Sequence, residues 1–297
     1  MGLFPGLSSG INAERQLELL RAAVDIYASY GITTIQDGGF GDVDMMRSEA
    51  ARVPFAVDIV SYVGANGLDD AVLATLQHEE HYSWGHWVGG VKFMLDGSPQ
   101  GRIAWLTKPY TEGPPRQDSE YVAYPNYNPQ AYKKRMVGLL DRGVPVLAHA
   151  NGDAAIDLMI DGVAEAVAGK PMPDHRSVAI HAQLMRADQL DRVKELGIIP
   201  SYYSVHPFFW GDWHRRSFGE ERSSFISPVK ATIERGIPFT IHNDSPVVPP
   251  DMMRLIWITV NRKTRSGYVL GPDQRATVME DLYAVTQRAA YQYFEED

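Results

Sequence analysis

The stretch DRGVPVLAHANGD (141–153) decides the fold. A charged helix end runs into Gly143, an apolar run follows, and the run closes on His149 and a polar cluster. The same punctuation recurs in KELGIIPSYYSVHP (194–207), in ERGIPFTIHNDSP (234–246) and, without a histidine, in ITTIQDGG (32–39) after Gly31. Glycine just past a helix accepts the left-handed conformation that stops it, and a short β-branched run after it reads as a strand. Upstream, residues 12–30 read as a helix, with Leu17, Leu20, Val24 and Tyr27 on one face and Asn12 as N-cap.

Working outward gives seven strands, over 32–37, 56–63, 90–95, 144–150, 178–182, 198–205 and 238–242. Nearly continuous apolar strands separated by helices belong to a parallel α/β sheet covered on both faces. A doubly wound sheet and a (β/α)8 TIM-like barrel both fit. The polar residues separate the two, because they fall at the C-terminal ends of four or more strands. Barrel enzymes draw their catalytic groups from many strand ends, whereas a doubly wound sheet gathers them at one switch point. The reading is a truncated (β/α)8 barrel of seven parallel strands, its first strand missing upstream of Met1. Residues 1–297 are expected to form one incomplete barrel domain, with a long insertion at about 97–128 that holds five prolines and a closing helix over 279–296. A connection that long is usually a lid or a substrate loop.

Composition narrows the function classes. Apolar residues make up 44% and charged residues 22% of the 297, ordinary for a globular protein. The formal charge of −9 argues against a nucleic-acid partner, which needs clustered Lys and Arg. There is no cysteine, so any transition metal must be held by His, carboxylate or a modified side chain. No window approaches the ~18 apolar residues of a membrane span, and the first residues lack the basic and apolar regions of a signal peptide. A cytoplasmic protein without a membrane partner is the expectation. An open barrel seam would favour homo-oligomers.

The chemistry sits on the strand ends. VLAHANGD (146–153) ends in His149 and VAIHAQ (178–183) in His181, while IHNDSPVVP (241–249) carries Asp244 and GVKFMLDG (90–97) places Lys92 inside a strand. In a parallel barrel all four point into one mouth. Two neutral imidazoles and a carboxylate suit Zn²⁺ or another divalent ion. Such an ion lowers the pKa of bound water to about 7, and a neighbouring Asp can pass the released proton to a leaving nitrogen. Each residue has a plainer reading: a hydrogen-bonded structural His, or an Asp capping the turn before Pro246. Lys92 is harder to dismiss, since an unpaired buried ammonium is costly. The joint placement on separate strands favours the metal site.

Around this core, Asn151 and Asp153 stand where they could orient His149, with helix capping the alternative for Asp153. His242 shares strand parity with Asp244. His206, Trp210, Asp212 and His214 crowd the loop after the 198–205 strand as a substrate wall, and Gln100, Arg102 and Trp105 open the long loop as further substrate contacts. HEEHYSWGH (78–86) lacks the His-Glu-x-x-His spacing and reads as a solvated helix end. GGFGDVD (38–44) reads as a turn, without the spacing of a phosphate loop.

The order Lys, His, His, Asp on what would be the fourth, fifth, sixth and eighth strands resembles the amidohydrolase superfamily. VKFMLDGSPQGRIAWLTKPY (91–110), HANGDAAIDLMIDG (149–162), SVHPFFWGDWH (204–214) and HNDSPVVPPDMMRLIWITVNRKTRSG (242–267) look like its family 3, which includes N-substituted formamide deformylase-like enzymes. The resemblance covers nearly the whole chain. It implies a carboxylated Lys92 bridging two metals, His149 and His181 as ligands of the second metal, and Asp244 as metal-bound acid/base. The implied reaction is hydrolysis of non-peptide C–N bonds in small amide or formamide substrates. The family's His-x-His pair of the first strand has no counterpart among the nine histidines. The family's small β-sandwich is missing too, so the chain reads as an internal portion of a longer protein. The rival readings are a non-catalytic remnant keeping the barrel and a partial metal site, and a metal-free barrel using Lys92 as a Schiff base.

Overall fold

The computed structural model describes residues 12–39, 41–79 and 82–296. Residues 1–11 of the stretch read for a signal peptide, Phe40 of the GGFGDVD turn and His81 lie outside these. The chain alternates helix and strand: α1 (Ala13–Ser29), β1 (Thr34–Asp37), α2 (Val43–Arg52), β2 (Asp58–Gly64), α3 (Asp70–Leu73), β3 (His86–Met94), α4 (Pro129–Leu140), β4 (Val146–Ala150), α5 (Asp153–Val167), β5 (Val178–His181), α6 (Ala187–Glu195) and β6 (Ile199–Tyr202). Two helices, α7 (His206–Ser224) and α8 (Val229–Glu234), precede β7 (Thr240–Ile241), and α9 (Met252–Asn261), α10 (Val278–Val285) and α11 (Gln287–Gln292) follow it. The seven strands pair in chain order, all parallel, as a curled half-barrel. No described helix is long and apolar enough to cross a membrane.

Strand alternation sorts the core into two layers. Val91, Phe93, Val146, Ala148, Ala179 and Ile241 point outward into the helix layer beside Tyr132, Met136 and Met159. Val60, Tyr62, Trp87, Leu147, Val178, Ile180 and Ile199 point inward and fill the lower half of the bowl, with Tyr291 and Tyr293 against them. The upper, C-terminal half of the bowl is left to polar groups.

Between the two outer strands, one side chain spans the gap. Gln292 at the end of α11 accepts from Thr240 Oγ1 of β7 at 2.9 Å and donates through Nε2 to Gln36 Oε1 of β1 at 3.0 Å. Tyr293 donates its hydroxyl to the same Gln36 oxygen at 2.9 Å.

Several boundaries differ from the sequence reading, each for a local reason. The strand expected over 198–205 stops at Tyr202, because Pro207 fits the first turn of a helix and draws α7 back to His206. His206, Trp210, Asp212 and His214 therefore ride on a helix, and no loop carries them. The strand expected over 238–242 pairs only at Thr240 and Ile241. The closing helix divides at Thr286 (φ −126°, ψ −96°), whose hydroxyl donates to the Leu282 carbonyl at 2.6 Å, a back-bond that bends helices. The described residues of the segment read as a solvated helix end are not helical: His86 opens β3, buried, with Nε2 3.0 Å from Ser61 Oγ.

Candidate metal centre

Lys92 points into the bowl from β3. Gly39 makes that possible: it has φ +85°, and a Cβ there would stand 2.8 Å from Lys92 Cβ. Burial lowers the Lys92 amine to about 7, against the opposing pull of the Asp244 and Asp37 carboxylates. His149 follows Leu147 onto the inner face of β4. His181 breaks the rule of its own strand, since alternation with Ala179 would turn it outward into the helix layer. Left-handed backbone at His181 (φ 74°) and Ala182 (φ 46°) ends β5 and sets the ring against His149 and His242. Asp244 is also left-handed, at φ 53°. Such conformations cost on the order of 1–3 kcal/mol each and cluster at functional sites.

The rings form a continuous chain. His149 Nδ1 lies 2.9 Å from His181 Nε2, His181 Nδ1 lies 3.1 Å from His242 Nε2, and His242 Nδ1 lies 3.0 Å from Ser201 Oγ. At the far end, His149 Nε2 lies 2.9 Å from Asn151 Nδ2, whose amide also donates to the Gly97 carbonyl at 3.2 Å. His181, His242 and Asp244 each offer one ligand atom, all within 4.8 Å of one another.

Electrostatics keep the rings neutral. Burial, then the Lys92 charge, lowers His149 and His242 to about 3 each. Burial and the neighbouring rings take His181 well below the usual range. Asp244 touches water at the open mouth, yet protein surrounds it on the other sides and raises its carboxyl pKa, with Lys92 opposing.

This donor set fits a divalent metal. Neutral imidazoles are the ligating form, and the 2.9 Å between His149 Nδ1 and His181 Nε2 is near the roughly 3.3 Å between two nitrogens on one tetrahedral ion with bonds of about 2.0–2.1 Å.

The remaining sequence candidates divide. Asn151 touches His149, and His242 joins His181 and Asp244 directly. Asp153 turns away from His149: its carboxylate takes the Thr107 backbone N–H and hydroxyl and pairs with Arg186 at 3.0 Å. Arg102 fastens the long loop to α7, bonding Ser217 Oγ, the Gly113 carbonyl and Glu112, with its guanidinium over the Trp213 ring. Trp105 packs against the main core and Gln100 accepts from Trp213 Nε1 through its carbonyl. His206 and His214 are buried and bond each other at 2.7 Å, with Trp210 against His206.

Three residues went unnoticed in the sequence. Asp96 is buried and accepts the backbone N–H groups of Trp105, Asn151 and Gly152 at 2.7–3.0 Å, while its Oδ1 stands 3.6 Å from His149 Nε2. It thereby ties the long loop to the end of β4. Burial raises its pKa to about 7 against those three donors. The signal was present, a carboxylate closing the GVKFMLDG strand. Asp37, at the end of β1, faces Lys92 electrostatically, and Tyr203 lies flat on His242 with centroids 5.4 Å apart.

A model of the amidohydrolase family matches residues 3–297. The chain belongs to the amidohydrolase family. Within it, the chain is 22% identical over 289 residues to the N-substituted formamide deformylase of Arthrobacter pascens, covering 94% of this chain and 51% of that protein. Among solved structures it resembles a metal-dependent hydrolase from Pyrococcus furiosus (TM-score 0.81, 24% identity, 97% of this chain and 57% of that one). It also resembles one from Pyrococcus horikoshii OT3 (TM-score 0.82, 23% identity, 97% and 57%). These likenesses establish the amidohydrolase fold. The chain spans about half the length of the curated relative it matches.

Proposed function

We propose that this amidohydrolase chain carries the metal-dependent site of an enzyme that hydrolyses non-peptide C–N bonds in small amides or N-substituted formamides. The observation that carries the proposal is the facing pair of imidazole nitrogens, His149 Nδ1 and His181 Nε2, 2.9 Å apart, with His242 and Asp244 grouped around His181 and the Lys92 charge acting on both rings. His149, His181 and Asp244 would hold the ion, Zn²⁺ by preference. When bound, the ion supplies Lewis acidity and a water of lowered pKa. Lys92, its amine lowered by burial, is the group to be carboxylated and to hold a second ion. Asp244 moves the proton: one carboxylate oxygen accepts it from the attacking water and delivers it to the leaving nitrogen. The water oxygen bonds to the carbonyl carbon, the C–N bond breaks, and carboxylic acid and amine leave.

The test is Asp244→Asn, read as zinc content and turnover of N-benzylformamide. Zinc should be largely retained while kcat falls by about 10²–10⁴. A kcat near wild type removes Asp244 from the proton transfer. The same lowered amine favours a second reading, a Schiff base on Lys92. Borohydride trapping of Lys92 by a carbonyl compound would support that reading against the first.

A further inference from the structure

Tyr203 follows directly on β6 at the rim of the bowl. It is 2% exposed, and four rings fix it. It stacks on His242 (17° between planes) and stands edge-on to His206 at 5.0 Å and to His181 at 5.9 Å, with Trp210 at 6.1 Å. Its hydroxyl is buried with no hydrogen-bond partner among the described residues. Leaving a buried hydroxyl unpaired costs about 1–3 kcal/mol, and buried polar groups in folded proteins are nearly always paired. Three other tyrosines share the feature, but Tyr82 packs on Trp87, and Tyr127 and Tyr132 pack on Phe93, away from the histidine chain. Tyr203 alone of these borders it, and Asp244 is the charged group whose field reaches its hydroxyl.

We infer that the Tyr203 hydroxyl donates a hydrogen bond to the carbonyl oxygen of the bound amide, on the side of the site that Asp244 faces. The inference rests on the hydrolytic reading above and adds a catalytic residue to it. Negative charge gathers on that oxygen as the water oxygen adds to the carbon, and a rigidly held donor strengthens as the charge develops. Asp244 carries the travelling proton from water to nitrogen, and Tyr203 keeps its own. A tyrosine hydroxyl of ordinary acidity, pKa about 10, is protonated throughout the neutral range, so the donor is in place. The partner it seeks is a neutral, planar group with an accepting oxygen, which an amide or a formamide provides.

Infrared difference spectroscopy of N-benzylformamide with an isotope-labelled carbonyl, bound to the zinc-loaded full chain, tests this. Asp244→Asn serves as the background in which the probe is not consumed. The bound carbonyl band should move to lower frequency than in water, and by less in Tyr203→Phe, which keeps the ring. A ring-fluorinated tyrosine at 203, a stronger acid of nearly the same shape, should deepen the shift even if the Phe variant folds poorly. Turnover in Tyr203→Phe should fall by about 10²-fold, as for loss of one oxyanion donor. An equal band in the Phe variant, or an unchanged band with the fluorinated ring, overturns the Tyr203 assignment alone. No bound band in the parent chain overturns the substrate class, and the assignment with it.

Discussion

His181 and His242 face each other through Nδ1 and Nε2 at 3.1 Å, and His242 carries the contact on to Ser201 at 3.0 Å. His181 reaches the other way with Nε2, toward His149. If that nitrogen holds the ion, Nδ1 must carry the proton, and His242 is the acceptor that fixes this tautomer. Groups that orient a ligand in this manner typically change metal affinity by about 10–100-fold. His242→Ala should weaken zinc binding by that amount, measured by competition with a chromogenic chelator. His181→Ala should weaken it much further. Equal losses would make His242 a ligand in its own right, as its placement within 4.8 Å of Asp244 and His181 also permits.

Arg262 is a second, purely structural test. It is fully buried at the end of α9 in left-handed backbone (φ 50°), and its guanidinium donates to the carbonyls of Leu270, Ile226 and Ser227 at 2.6, 2.8 and 3.2 Å. Burial lowers its pKa, but arginine keeps its charge in proteins. Arg262→Met should cost about 3 kcal/mol or more, by leaving buried carbonyls unpaired, and lower Tm by roughly 6–12 °C. Arg262→Lys should not recover it, because one ammonium cannot span the three acceptors. A melt unchanged in either variant would show that those carbonyls find other partners.

Acid stability offers a third test, remote from the site. Glu49 on α2 is buried between Arg52, at 2.8 Å, and Arg21 of α1, at 2.6 Å. The Arg52 hydrogen bond leads in holding its carboxyl at about 2, against the ordinary value of 4.5. A depressed carboxylate pKa gives stability that is complete above the unfolded value and lost as pH falls toward the folded one. In denaturant titrations the wild-type advantage over Glu49→Gln should therefore be full at neutral pH and shrink from about pH 4.5 toward 2. An advantage constant across that window would mean that the Arg pairs contribute through packing alone.

Much of this was legible in the sequence because strand ends announce themselves. Gly143 and Gly236 punctuate the runs that end in His149 and at His242 and Asp244, and a lysine between Val91 and Phe93 has no ordinary place in an apolar strand. His181 stands out by its position at a strand end, although strict alternation would send its ring to the helix layer; only the left-handed turn at the end of β5 brings it inward. That turn has no glycine to mark it. Asp153 was misplaced because its partners, Thr107 and Arg186, lie 46 and 33 residues away in the chain. Arg102 was drawn toward substrate for want of knowing that Trp213 and Glu112 would surround it. Tyr203 was hidden because its interest lies in a missing partner, and no sequence shows that.

The proposed chemistry depends on one ion held between His149 and His181. Anomalous diffraction from crystals of the full chain soaked in zinc measures this directly. A peak should appear within about 2.0–2.2 Å of a nitrogen of each ring, beside Asp244, and vanish in the His149→Ala, His181→Ala double variant. Zinc bound elsewhere, or a peak that survives in the double variant, would contradict that chemistry.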